Sequence, residues 1–156
     1  PHDSTKREEI VKWITRERLR IDRTASAWLI RRFVDPAAAF LYVPREAVMT
    51  RAEAEGAIPF HVSEAELGKR GGRTGFDAIL DKYAIDDPAL TMLAKIVRGA
   101  DRADREERAP EADGLWAVSH GFFLLDLPDA ESLARQTPVF DALYTYCQDK
   151  LARASG

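Results

Sequence analysis

The side chains best able to do chemistry in this sequence are arginines that gather before and inside one predicted helix. Arg16, Arg18 and Arg20 alternate along a stretch predicted to be extended, which would point all three to one side. Arg23 follows in the first turn of the next predicted helix, where free backbone N–H groups attract anions. Arginine presents a planar fork of donors that suits carboxylates, phosphates and other oxyanions. The pattern predicts a small-anion site, although arginines that pair with carboxylates or cover apolar surface would give the same pattern.

Three more side chains on the helix predicted at residues 22–34 can complete such a site. Asp22 is a plausible N-cap, and Ser26 shares its helix face because the two residues are four positions apart. Trp28 lies on the same helix and could form a wall of the pocket. We therefore count all three as candidate ligand-binding residues.

A carboxylate ends the apolar stripe of a helix predicted to run from Pro88 to about residue 101. The stripe occupies positions i, i+3, i+4 and i+7, which are Leu90, Leu93, Ala94 and Val97. Asp101 stands four positions further on, where an unpaired charge would be costly, and Arg98 is close enough along the helix to pair with it. Asp101 is then either a site carboxylate held by an arginine, or a structural residue that forms a buried ion pair or anchors the loop after the helix.

The segment 67–75 is a basic, glycine-rich loop. Its four glycines, together with Lys69, Arg70 and Arg73, could wrap an anion in backbone N–H groups. The segment matches neither the P-loop pattern nor the GxGxxG pattern in a strand-to-helix setting, so a surface connection is the favoured interpretation. Lys69 is kept as a candidate hydrogen-bond donor to the anion.

The histidines give weaker signals. His120 lies on a helix predicted at 114–125, which is apolar on nearly every side and is therefore expected to be central and buried. In such surroundings His120 could act as a general base or be a hydrogen-bonded core residue. His2 and His61 show no spacing typical of a tight metal site, so neither a metal ion nor another cofactor is expected.

Length, charge and cysteine content restrict the class of protein. The 156 residues predict a single domain at 10–156, after a disordered tail or tag remnant at 1–9. The net charge of −3 argues against a general nucleic-acid-binding surface. No apolar run approaches the roughly 20 residues that span a bilayer, so we expect a cytoplasmic protein without a membrane partner. Cys147 falls on the apolar stripe of a last helix predicted at 137–152 and is expected to be a core thiol.

The order of the predicted elements indicates the fold class α+β. Strands are predicted at 10–15, 38–43 and 58–62, separated by the helix at 22–34 and by a second helix that begins after Pro44 and ends at Gly56. The C-terminal half adds the four helices predicted at 75–84, 88–101, 114–125 and 137–152. We expect a small sheet of about three strands that packs against a mostly helical C-terminal half.

Seven stretches, taken in order, give the chain a family resemblance. They are TRERLRIDR, WLIRRFVDP, FLYVP, FDAIL, DDPAL, IVRGAD and DALYTYC, beginning at residues 15, 28, 40, 76, 86, 96 and 141. In this order and spacing they resemble the C-terminal domain of the chromate-resistance ChrB family. The resemblance implies a link to chromate resistance and favours the residues that fall in the shared motifs, which are Arg16, Arg18, Asp22, Arg23, Arg98 and Asp101. Longer members resemble chromate-responsive regulators with an added N-terminal region, so no nucleic-acid partner is expected without that region.

The chain also departs from the family pattern. That pattern has Cys where this chain has Ser26, His where it has Lys69 and Cys where it has Thr74. It usually has Asp and an apolar residue at the positions of His61 and His120. The loss of the thiols argues against thiol-based chromate sensing and suggests a site kept in place with different chemistry.

Three functions remain open at this point. In the first, a small-anion binding or sensing domain, Arg16, Arg18 and Arg23 hold the anion while Asp101 orients an arginine. In the second, a small cofactor-independent isomerase or lyase acts on an anionic organic substrate, with His120 or Asp101 moving a proton. In the third, all these charges are ion pairs of a structural or partner-binding module. A homodimer is compatible with each.

Overall fold

The protein is described here by a computed structural model over residues 10–62, 73–101 and 108–156. Its strands are β1 (Lys12–Arg16), β2 (Ala39–Val43) and β3 (Ile58–Pro59). They form one parallel sheet in the order β2-β1-β3, in which Trp13 of the central strand is aligned with Phe40 on one side and Ile58 on the other. The carboxyl ends of all three strands therefore lie at the same edge of the sheet.

Six α-helices complete the described part of the chain. They are α1 (Ile21–Leu29), α2 (Val48–Glu55), α3 (Gly75–Lys82), α4 (Pro88–Ala100), α5 (Ala112–Leu125) and α6 (Asp129–Ser155). A π-helical turn, Ile30–Val34, extends α1, and a 3-10 turn, Arg45–Ala47, precedes α2. The small sheet in the N-terminal half and the helical C-terminal half confirm the predicted α+β fold class. None of the helices in these described ranges is long and apolar enough to cross a membrane.

The central strand separates two hydrophobic clusters. Successive side chains of a strand point to opposite faces, so neighbouring residues of β1 enter different clusters. Trp13 belongs to the main core, which includes residues of α1, α3, α4, α5 and α6. Ile14 belongs to a smaller cluster with Val43 and the α2 residues Val48 and Ala52. The sheet is thereby covered on both faces, and only its edges are left to carry polar chemistry.

Several helix boundaries follow from local chemistry. Gly56 ends α2 in the left-handed conformation, at φ 65°, as its position in the sequence predicts. Asp87 caps α4 by accepting a hydrogen bond from the N–H of Ala89, and Pro88 occupies the first turn. Thr74 and Asp77 form a reciprocal capping box at the start of α3.

Helix α5 is not the central, buried helix that its apolar composition predicts. Only Ala112, Leu115 and Ser119 are buried in it, whereas Leu124 is 68% and Leu125 59% exposed. The prediction was wrong because an apolar composition does not determine how many sides of a helix have neighbours. The three buried residues are spaced three and four positions apart, so they lie along one face of α5.

Helix α6 begins at Asp129, before the predicted start at residue 137, and Pro138 lies inside it. Proline removes a backbone donor but the helix continues, because Leu133 and Gln136 before it and Phe140 after it are all buried on one face. The remainder of the last helix follows the prediction, with Cys147 fully buried on its inner stripe.

Candidate functional site

A cavity of about 830 Å³ opens at the carboxyl edge of the sheet. Arg16 is the last residue of β1, Arg45 follows β2 after Pro44, and His61 follows β3 after Phe60. All three line the cavity, which also reaches the C-terminal end of α4 at Asp101. Parallel sheets place ligand sites at this edge because loops from several strands converge there.

Arginine dominates the polar lining of this cavity. Arg16, Arg20, Arg23 and Arg45 line it, against the two carboxylates of Glu46 and Asp101. A smaller adjoining hollow of about 350 Å³ shares these four arginines and adds Arg18. Five arginine residues therefore line the two spaces taken together.

Arg23 is the most buried of these arginines, with 6% of its surface exposed. Its Nη2 donates to the carbonyl oxygen of Arg18 at 2.6 Å, while its buried Nε has no hydrogen-bond partner within the described ranges. Burial, and then the charge of Arg16, lower the pKa of Arg23 to about 10, against the opposing effect of Asp22, Asp101 and Asp129. The guanidinium is still a cation at neutral pH and keeps an unused donor beside the cavity.

Arg18 and Arg20 do not continue the alternation predicted from their spacing. The strand ends at Arg16, and Arg18 adopts a left-handed backbone conformation at φ 64°. Arg18 then donates to Asp126 from an exposed position, while Arg20 reaches the Nδ1 of His120 at 3.2 Å. Both guanidinium groups lie over the ring of Phe123, at 4.6 and 4.3 Å from its centre.

Asp22 is buried and does not cap its own helix. Its Oδ2 accepts from the N–H of Gly75 at 2.6 Å, and its Oδ1 accepts from the N–H of Phe76 at 3.0 Å and from the hydroxyl of Ser26 at 3.3 Å. Burial alone would raise the pKa of Asp22, but the His61 imidazole and the two backbone N–H groups outweigh it and hold the pKa below its ordinary value. Asp22 is thus an ionised carboxylate that joins α1 to the start of α3.

Two more groups with ligating atoms lie beside Asp22. One ligating atom each of Asp22, His61 and Asp101 can be chosen so that all three lie within 4.8 Å of one another. The Nε2 of His61 is 3.0 Å from Oδ2 of Asp22, yet it is not aligned with any acceptor in the described residues for a hydrogen bond. The three residues come from α1, the end of β3 and the end of α4, which is why their spacing in the sequence gave no metal pattern.

The remaining candidate binding residues that the structure describes do not line the cavity. Ser26 is fully buried against Asp22, and Arg98 pairs with Asp77 at 2.6 Å rather than holding Asp101. Trp28 is in the core, where its Nε1 donates to Asp141 at 2.9 Å, and it does not line the cavity. Lys69 and most of its loop lie outside the described residues.

His120 is not one of the residues that line the cavity, but it contacts two of them. Its ring stacks on Trp116 at 4.8 Å between centroids, and Trp116 itself lines the cavity. Arg20 forms the second connection, because it lines the cavity and contacts the His120 ring. The side chains of Arg20 and Trp116 thus separate His120 from the cavity.

Sequence reasoning left Arg45 and His61 out of the candidate site, and it noted Arg20 in the arginine pattern without counting it as a binding residue. A usable signal was present for each of them, because all three stand within a few residues of a predicted strand end or helix start. In a parallel sheet, polar residues directly after successive strands should be collected as one set, whatever their separation in the sequence.

Sequence matches with known proteins cover most of the chain. A family model described as ChrB, C-terminal domain, matches residues 13–147. The chain is 34% identical over 137 residues to Protein ChrB of Cupriavidus metallidurans, an alignment that covers 86% of this chain and 40% of that protein. The chain thus spans less than half the length of this relative. No solved structure gives a significant match.

Proposed function

Because the chain belongs to the chromate-resistance ChrB family, in which it corresponds to the C-terminal domain of ChrB, we propose that it binds a small anion in the arginine-lined cavity. The ligand class is an oxyanion or a carboxylate, since both present the oxygen pairs that a guanidinium recognises. Arg16, Arg20, Arg23 and Arg45 are the proposed binding residues, with Arg18 at the outer rim.

The observation that carries the proposal is the buried Nε of Arg23. A buried donor without an acceptor costs about 1–3 kcal/mol, and more when the group is charged. This Nε has no partner in the described part of the chain, and Arg23 is among the residues that line a cavity large enough to admit a ligand. An anion oxygen bound there would supply the missing acceptor.

The charges around the cavity support the same conclusion. Four arginines stand against Glu46 and Asp101, a formal surplus of two positive charges when His61 is taken as neutral. Arg16, Arg20 and Arg45 form no ion pair with the residues that the structure describes. This distinguishes them from Arg18 and Arg98, which pair with Asp126 and Asp77. A bound anion would compensate the surplus.

The cavity volume leaves the choice between inorganic and organic anions open. Small-ligand sites commonly enclose about 300–1,000 Å³, so a cavity of about 830 Å³ holds either a hydrated tetrahedral oxyanion or a small organic acid. Trp116, Val48 and Met49 add apolar walls, which favour an anion that has some carbon skeleton.

A second candidate function is a cofactor-independent isomerase or lyase that uses the same arginines to hold its substrate. The observation in its favour is that Asp101 lines the cavity, where a carboxylate can move a proton on a bound organic acid. His120 would assist only through Arg20. If the chain is instead a structural or partner-binding module, which is the third alternative, it should show neither affinity for anions nor turnover.

Calorimetric titration with chromate, sulfate, phosphate and small organic acids tests the proposal. Arg16→Ala and Arg45→Ala should raise the Kd at least tenfold, and higher salt should weaken binding. Arg135→Ala is the matched control, since Arg135 pairs with Glu131 on the surface of α6 and does not line the cavity. Absence of binding by the whole panel, or equal losses in all three variants, would refute the proposal. Turnover that Asp101→Asn abolishes would establish the enzyme instead.

A further inference from the structure

We infer that Asp22, His61 and Asp101 form a site for one divalent transition-metal ion at the inner wall of the cavity. The inference goes beyond anion binding and does not depend on it, because none of the three residues is an arginine of the proposed anion site. It rests on the convergence of two carboxylates and an imidazole from three separate elements of the fold.

The separation of the ligand atoms suits a single ion. Atoms bound to one ion at about 2.1 Å lie no more than about 4.2 Å apart. The three atoms here are within 4.8 Å of one another, and Nε2 of His61 and Oδ2 of Asp22 are 3.0 Å apart. Side-chain shifts of tenths of an ångström would therefore bring all three onto one ion.

Asp22 is oriented in the way that ligating carboxylates usually are. Its two oxygens accept from the N–H groups of Gly75 and Phe76 and from the Ser26 hydroxyl, which fixes the plane of the carboxylate. Supporting hydrogen bonds of this kind are common around metal ligands and strengthen metal binding. Such a carboxylate keeps its orientation when an ion binds at its one remaining lone pair, on Oδ2.

His61 supplies the atom that points most clearly to an ion. Its Nε2 is buried 3.0 Å from Oδ2 of Asp22 and is not aligned for a hydrogen bond with any acceptor in the described residues. The ring is held by close packing, since a Cβ built on Gly75 would lie only 3.2 Å from Cδ2 of His61. A metal ion would bind this nitrogen and Oδ2 of Asp22 together and would add positive charge beside the carboxylates.

The ligand set defines the class of ion. One imidazole nitrogen with two carboxylate oxygens suits first-row divalent ions such as Zn²⁺, Fe²⁺ and Mn²⁺ better than Ca²⁺, which prefers oxygen ligands alone. Three protein ligands leave further coordination positions open, and His61 and Asp101 both line the cavity. A water molecule or an anion oxygen would occupy those positions.

The test uses the full chain after treatment with a chelator, in chloride buffer without oxyanions. Zn²⁺ and Mn²⁺ are titrated by calorimetry, and Mn²⁺ also by loss of the free-ion paramagnetic resonance signal. We expect one ion per chain, with affinity reduced tenfold or more in His61→Gln and in Asp101→Asn. Asp113→Asn is the matched control that keeps wild-type affinity, because Asp113 pairs with Arg108 and does not belong to the cluster. Circular dichroism confirms that each variant is folded.

Two results would overturn the inference. One is the absence of stoichiometric binding of either ion, and the other is binding that the His61 and Asp101 variants leave unchanged. Arg16→Ala, measured in the same titrations, separates this inference from the proposed function. It should leave metal affinity intact while lowering anion affinity, so a failure of one proposal leaves the other independently measurable.

Discussion

Nη1 of Arg98, near the end of α4, lies 2.6 Å from Oδ1 of Asp77 in the first turn of α3. The same carboxylate closes the capping box by accepting from the backbone N–H and the hydroxyl of Thr74. Asp77 is 2% exposed, so one buried side chain joins α4 to the segment whose N–H groups hold Asp22. Because the ion pair of Arg98 and Asp77 connects α4 to the segment that holds Asp22, its stability affects the geometry of the candidate site.

Replacing Asp77 by Ala should lower the free energy of unfolding by about 2–4 kcal/mol, because it leaves a guanidinium and a helix N-terminus without their acceptor. Urea denaturation of the purified variant measures the change. Asp81→Ala is the control, since Asp81 pairs with Arg73 at the surface, where such pairs contribute about 0–1 kcal/mol. Equal losses in the two variants would contradict the structural role assigned to Asp77.

The partner of Arg98 illustrates what sequence periodicity can and cannot predict. Residues three apart on a helix are always neighbours, so the pairing of Arg98 with Asp101 was a sound local inference. The observed partner lies on another helix, 21 positions away, and only tertiary packing brings it close. Helix ends such as Gly56 and Asp87 were predictable for the opposite reason, because their chemistry is complete within one turn of the chain.

The sequence likewise allowed part of the candidate site to be predicted and left the rest out. Arg16, Arg23 and Asp101 were singled out from the sequence, and the structure places all three around one cavity, while their binding role stays a prediction. Trp28 went into the core instead, because an aromatic side chain on a helix with apolar neighbours gains more from packing than from lining a polar cavity. The π-helical turn, the left-handed Arg18 and the α5 surface depend on tertiary contacts that no local pattern contains.

Gly75→Ala should disturb the metal cluster without unfolding the protein. A Cβ at this position would meet Cδ2 of His61 at 3.2 Å and Oδ2 of Asp22 at 3.4 Å, so the ring must move by a few tenths of an ångström. Metal affinity should fall severalfold in the titrations described above. Gly114→Ala is the control on α5, where a Cβ would meet nothing within 4 Å, and it should stabilise the fold by up to about 1 kcal/mol. Unchanged metal affinity in Gly75→Ala would mean that the His61 ring is not held by this packing.

Cys147 should react slowly with a thiol reagent in the folded protein. It is fully buried, and burial, followed by the charge of Glu111, raises the pKa of its thiol to about 11. At pH 8 we expect labelling by an aromatic disulfide reagent to take hours under native conditions and seconds in concentrated guanidinium chloride. Rapid stoichiometric labelling of the native protein would show that the inner face of α6 is open.

The same thiol should make the protein less stable at alkaline pH. The folded-state pKa is raised from 9.0 to about 11, so the unfolded chain ionises first as pH rises. The stabilisation is therefore complete below about pH 9 and is lost as the pH rises towards 11. Urea denaturation of wild type and of Cys147→Ala between pH 8 and about 10.5 isolates this contribution. The wild type should lose more stability than the variant over this window, and parallel curves would contradict the assignment.

Asp129 should act as a positioning residue for the arginines of the cavity rim. Its two oxygens accept from the backbone N–H groups of Arg18 and Leu19, at 3.0 and 2.8 Å, and so hold the chain where it turns between β1 and α1. Asp129→Ala removes both acceptors, and we expect anion affinity to fall by about three- to tenfold, because a misplaced turn spreads Arg18 and Arg20 over more conformations. Metal affinity should not change, since Asp129 is not part of the metal cluster.

A conservative replacement distinguishes positioning from charge at this residue. Asp129→Asn keeps one carbonyl acceptor and the shape of the side chain but removes the negative charge beside Arg23. If Asp129 acts by holding the turn, Asn should restore most of the affinity that Ala loses. Removal of a competing carboxylate would by itself favour an anion, so an Asn variant that binds the anion more tightly than wild type would assign the residue an electrostatic role. An Asn variant as weak as the Ala variant would show that both acceptor oxygens are needed to hold the turn.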